Sequence, residues 1–194
     1  MRRAASVAPV EQALIFASII VGVAVSDQIV SLNRLLRADS PVRWHWALPA
    51  TALLVLMTNL QVWWSIAGDK SEGISIGAFL PNLVELIIIA LLSAASLPDK
   101  VEEEGIDLKQ YYDRNAGYIW TLFVLTLAWA ELIAFTTAIR EDQSILDFAS
   151  NRLIDFVAIG VMIALAFVRR RWLVASGIAF LFLGPLSWLS RTVQ

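Results

Sequence analysis

The sequence predicts an all-α, polytopic membrane protein of about six transmembrane helices with short loops, on three observations. Of its 194 residues, 58% are hydrophobic and only 16% charged, where soluble domains carry about a quarter charged. Mean hydropathy is +0.69. The apolar residues gather into runs of about 17 to 24, the length a helix needs to cross a hydrocarbon core of about 30 Å. Open strands cannot satisfy their backbone in lipid, and barrel strands are much shorter, so helices are the expected solution. The whole chain, 1–194, reads as a single integral membrane domain.

The first span is expected over about 12–35. The start, MRRAASVAP before Ala13–Val25, imitates a secretory signal, and Ala24-Val25-Ser26 resembles a cleavage site. The apolar run continues through Ile29, Val30 and Leu32, which reads as a first membrane helix instead. Ala38-Asp39-Ser40-Pro41 is a turn. The second span, about 44–66, is framed by Trp44 and Trp46 at one end and Trp63 and Trp64 at the other. Tryptophan prefers the headgroup level. Trp46 to Trp63 is 17 residue steps, about 26 Å along a helix.

The third span, 76–97, is the most apolar and yet contains Asn82 and Glu85. Its twelve Leu, Ile, Val and Phe residues contribute about −5 kcal/mol of insertion energy. One carboxylate at roughly +3 kcal/mol is therefore tolerated. Pro98 ends the run. The longest loop follows, with Glu102, Glu103, Glu104 and Asp107. A short interfacial helix is expected over 107–118, where all three tyrosines lie, before the fourth span at 118–139. A polar loop, 140–150, leads to the fifth span at about 152–168, an Arg169-Arg170-Arg171 turn, and the sixth span at 172–189. Gly184-Pro185 is expected to kink the last helix.

Charge sets the expected orientation. Arg2, Arg3, Lys70, Arg140, Arg152 and Arg191 fall on one side, and nine of the 15 basic residues on the other. The positive-inside rule places the nine in the cytoplasm and both termini outside.

Composition excludes several chemistries. Cysteine is absent and His45 is the one histidine, so disulfides, thiolate metal sites and multi-histidine centres are ruled out. No hydrolase, zinc-protease or phosphate-loop motif is present. The expectation is no enzyme, no cofactor, no metal site and no nucleic-acid partner. His45, between Trp44 and Trp46, reads as part of an interfacial anchor rather than a pH sensor. The triple arginine reads as a topology signal, with anionic headgroups as the alternative.

Intramembrane carboxylates are the strongest functional signal. Glu85 lies at the centre of its span, Asp27 and Glu131 about three residues past the centres of theirs, and Asp155 near an outer end. No lysine or arginine is expected at the same depth, unless Arg34 reaches back to Asp27. Asn82 is one turn from Glu85, and Pro81 frees a backbone carbonyl beside them. Thr51, Thr58, Gln61 and Ser65 form a stripe on one face of the second span, with Asn59 off it, and are expected to bond between helices. VSDQIVSLNRLLR and WAELIAFTTAIRE share an acid and a later arginine, an echo best read as coincidence.

Two readings stay open. In one, Asp27, Glu85, Glu131, Asn82 and Asp155 mark a proton or small-cation path through a channel or transporter. In the other, the acids are helix contacts in a non-conducting subunit or scaffold. Expected contacts are the lipid bilayer and either a homo-oligomer or a membrane-protein partner. Leu-Asn-Arg-Leu-Leu-Arg at 32–37, Val-Arg-Trp at 42–44, Gln61 with Trp63-Trp64, Leu97-Pro98-Asp99, and Tyr111-Tyr112 with Asn115 resemble small multi-pass bacterial inner-membrane proteins of unassigned role. That resemblance covers about two thirds of the chain. It implies an inner-membrane location and no particular chemistry.

Overall fold

The computed structural model describes residues 9–68 and 76–191, with side chains over 12–67 and 79–190. Lys70, Arg2 and Arg3 lie outside these residues. The described chain is helical apart from two two-residue strands. In order it forms α1 (Pro9–Leu36), β1 (Val42–Arg43), α2 (Ala47–Gly68), α3 (Ile76–Ala95), β2 (Ile106–Asp107), α4 (Leu108–Arg140), α5 (Ile145–Asn151), α6 (Leu153–Phe167) and α7 (Arg171–Arg191).

Local chemistry sets most boundaries. α1 stops before the Ala38–Pro41 turn, because proline disfavours helix in the residue ahead of it. Pro49 falls in the first turn of α2, where its missing N–H is no loss. The Asp107 carboxylate accepts from the backbone N–H groups of Lys109 and Gln110 and caps α4.

Side-chain contacts fix each helix's direction. Trp63 reaches Ser18 and Gln28 reaches Ala52, so α1 and α2 are antiparallel. Trp129 reaches Pro81 and Tyr111 reaches Ala95, so α3 and α4 are antiparallel. α1, α3, α4 and α6 pack as a row, each against the next. α2 lies over α1, α3 and α4, while α7 closes against α2 and α6.

Two apolar clusters fill the bundle. The larger includes Leu48, Val55, Leu92, Tyr112, Ile119, Trp120, Met162, Leu165 and Ile178. The smaller gathers Ala17, Val21, Val62, Leu86 and Ile89 where α1, α2 and α3 meet.

At one end the chain is clipped. β1 and β2 pair in parallel, Val42 with Ile106 and Arg43 with Asp107. Gly105, at φ +94°, precedes β2, and a Cβ there would lie 2.3 Å from the Pro41 carbonyl oxygen. Only glycine fits that approach.

Four helices, α1, α2, α4 and α7, are long and apolar enough to cross a membrane, and the bent α5–α6 pair makes a fifth if counted as one span. The described apolar stretch of α3, Phe79–Ala95, is shorter. The perimeter suits lipid: Ile15, Ile19, Val23, Leu60, Leu80, Ile87, Leu132, Phe167 and Leu183 are all exposed.

The elements differ from expectation in three places. No separate interfacial helix precedes the fourth span; α4 runs unbroken for 33 residues, about 50 Å. Trp120 donates to the Tyr112 hydroxyl at 3.0 Å and Asn115 to the Tyr111 carbonyl, which tie the first turns to the rest. The loop 140–150 is not all loop, since α5 occupies 145–151 and meets α6 at 62°. Trp44 to Trp46 precede α2 rather than begin it, because strand pairing holds the chain extended at 42–43.

Candidate functional site

Most of the buried polar residues gather in a seam between α1, α2 and α3, with Thr126 and Glu131 apart on α4. α1 buries Ala17, Val21, Ala24, Gln28, Ser31 and Leu35, alternate steps of four and three that make one face. α2 contributes Thr51, Val55 and Asn59, and α3 contributes Glu85, Ile89, Ser93 and Ser96. The small alanines and serines let the backbones approach closely.

Two amides hold the seam together. Gln28 Nε2 donates to the Ala52 carbonyl at 2.8 Å and to Ser96 Oγ at 2.9 Å. Asn59 Nδ2 donates to the Val55 carbonyl at 3.0 Å and to Ser93 Oγ at 2.8 Å. Each amide must turn its nitrogen to a backbone carbonyl, which accepts only. The serine protons are committed as well, Ser96 to the Ser93 carbonyl and Ser93 to the Ile89 carbonyl.

The opposite oxygens are left over. Gln28 Oε1, Asn59 Oδ1 and Ser31 Oγ are buried with no hydrogen-bond partner among the described residues. Acceptors in that condition call for a donor or a cation. Ser31 lies one turn from Gln28 on the same face of α1.

Glu85 extends the seam. Its residue exposure is 8%, and it makes no hydrogen bond or ion pair among the described residues. It shares a face of α3 with Ser93 and Ser96, at offsets of eight and eleven, or about 12 Å and more along the helix. Ile89, fully buried, separates the carboxyl from Ser93. Asn82 is partly buried one turn away. The Pro81 carbonyl accepts from Trp129 Nε1 at 2.9 Å, which pins α3 to α4 at this level.

The other acids are placed differently. Asp27 is partly exposed, beside Gln28 but off the buried face of α1. Arg34 does not reach back to it; its Nη1 donates to the Asp99 carbonyl at 2.9 Å. Glu131 has a cation after all, contrary to the sequence reading. Arg152 Nη1 lies 2.9 Å from Glu131 Oε1 and 3.9 Å from Asp155 Oδ2. The sharp bend at Arg152 turns the residue expected to begin the fifth span toward α4. The Phe148 ring lies 5.9 Å from its guanidinium, a cation–π arrangement. Glu131 Oε2 has no hydrogen-bond partner among the described residues. Asp27, Glu85 and Glu131 share no hydrogen bond or ion pair with one another.

The expected stripe on α2 does not bond between helices. Thr51, Thr58 and Ser65 donate to carbonyls of their own helix, at Ala47, Leu54 and Val62. Asn59, off that stripe, makes the cross-link instead. Sequence reasoning missed Gln28, Ser31, Ser93 and Ser96. The available signal was a buried-face spacing that steps through alanine and valine onto Gln28 and Ser31.

Beyond the apolar spans, His45 is partly buried at the clip, with Nδ1 lacking a hydrogen-bond partner among the described residues. Burial, then the Lys109 charge, holds its imidazole below the ordinary value, which Asp113 opposes.

The chain matches no protein-family model, no curated protein and no solved structure.

Proposed function

We propose that this chain is a small inner-membrane protein of six spans, α3 and the α5–α6 pair included, that moves protons or small cations. The seam of α1, α2 and α3 is the path and Glu85 is its exchanging group. The observation that carries this reading is a carboxyl buried at 8% exposure without a partner among the described residues. It sits on the helix face that also carries Ser93 and Ser96. A membrane acid in that state is retained at a cost that function explains best. The orphan oxygens of Gln28, Ser31 and Asn59 would be served by water or a dehydrated cation. Ile89 is the apolar barrier between the two polar stretches. Asp27 and Asn82 lie at the flanks of this path. Glu131 and Asp155 share the one cation of Arg152 beside it.

The test is flux into liposomes holding the purified chain, with proton- and potassium-sensitive dyes inside. Wild type is expected to pass one of the two ions, and Glu85→Gln to lower that flux about tenfold or more with its helix content unchanged. A well-folded wild type that passes neither ion overturns the reading.

One observation favours a second reading, a non-conducting membrane subunit. Glu131 is matched by Arg152 within the chain, as expected of a carboxylate with a structural role. Absent flux together with a copurifying membrane protein, lost in Glu85→Gln, would support that reading.

A further inference from the structure

At the clip end, where α6 turns into α7, an apolar groove of about 300 Å³ opens between the two helices. Val161, Leu165, Val168, Leu173 and Phe180 line it. Gly177 sets its depth, because a Cβ there would lie 2.9 Å from a Leu165 methyl. A second hollow adjoins the start of α7, lined by Trp46, Arg171, Trp172 and Ala175. Trp172 is exposed at 64%.

The turn between the helices is Arg169-Arg170-Arg171, and its three cations are not equivalent. Arg169 Nη1 donates to the carbonyls of Leu165, Ala166 and Val168, and so closes the C-terminus of α6. Arg170 and Arg171 are exposed, and their guanidinium groups make no hydrogen bond or ion pair among the described residues. The nearby acids are engaged elsewhere: Asp113 with Lys109 at 2.6 Å, and Asp107 with the N-terminus of α4.

We infer that this corner binds an anionic phospholipid. Arg170 and Arg171 hold the phosphate, Trp46 and Trp172 lie at the glycerol level, and one acyl chain runs up the α6–α7 groove. The groove runs from Val168 to Val161, about 10 Å along α6. A partner helix would fill the same apolar groove but leaves two unpaired arginines at its mouth unexplained; a phosphate on an acyl chain meets both. Selectivity comes from charge, because lipid tails already surround every outer face and favour no particular groove. The inference does not depend on Glu85 or on flux.

The test uses the full chain in detergent with equal phosphatidylglycerol and phosphatidylcholine, and native mass spectrometry counts the lipid retained. Wild type is expected to keep one phosphatidylglycerol per chain, about tenfold or more over phosphatidylcholine. Arg170→Gln with Arg171→Gln should abolish the preference. Ser176 also lines the groove, so Ser176→Phe, which fills it and leaves the arginines intact, should abolish retention. Circular dichroism and gel filtration keep misfolded variants out of the comparison. Equal retention of the two lipids overturns the inference, as does undiminished phosphatidylglycerol in either variant. So does a polypeptide cross-linked at Ser176→Cys that excludes lipid.

Discussion

Gln28 and Asn59 decide what the interior can do, because each amide is half satisfied. Their nitrogens join α1 to α2 and α3, and their oxygens have no partner among the described residues. Removing a buried donor would strand its acceptors, whereas an orphan acceptor is already a cost of about 1–3 kcal/mol unless water serves it. Single residues at the clip carry two predictions. Gly105→Ala places a methyl against the Pro41 backbone at a positive φ and should cost about 2 kcal/mol, read as a lower Tm. His45 has its folded-state value lowered from 6.5 by burial first and Lys109 second. The folded state then binds fewer protons than the unfolded one, so the full contribution is present above about pH 6.5 and is lost as pH falls below it. Thermal unfolding between pH 7.5 and 5 should show that fall, and His45→Gln should flatten it; an unchanged slope in the variant rules His45 out.

At the scale of elements, the break between α5 and α6 matters most. The two helices meet at 62° with Arg152 at the break, where its guanidinium lies 2.9 Å from Glu131. Losing one partner of a fully buried pair costs about 3–5 kcal/mol. Arg152 is 41% exposed, so Arg152→Met should cost less, about 2 kcal/mol. Adding Glu131→Gln should restore most of that, because the stranded charge goes with it. A double variant no more stable than the single would show that the packing of Arg152 on Phe148, not its charge, matters.

The whole molecule is an apolar-sided bundle with polar ends and one polar seam. Its basic residues favour the clip end, which holds Arg43, Lys109 and the triple arginine. Arg152, counted with the opposite end, is drawn in to Glu131, which sharpens the asymmetry. The proposed orientation, with the clip in the cytoplasm and the termini outside, follows from it. The absence of native cysteine makes the check clean. In sealed right-side-out vesicles, an impermeant maleimide should label Gln143→Cys and should reach Glu103→Cys only after permeabilisation. The reverse pattern inverts the proposed topology.

Helix class and helix positions were legible because they depend on local order. Apolar runs, prolines at 41 and 98, and tryptophans near the ends lie next to the boundaries they set. Glu85 was legible for the same reason, since an acid in an apolar run is visible without a partner. The seam was not, because a glutamine in one helix and a serine 68 residues later carry no mark of their contact. Arg152 read only as the start of the fifth span, because its role depends on a bend that no proline or glycine announces. The sequence by itself therefore determined that the chain is a bundle of apolar helices with acids inside it, through the cost of exposing apolar surface and backbone. Only the tertiary structure decided which acid is paired and which is alone, because a buried charge is matched by whatever packing brings beside it, and packing is not written in order along the chain.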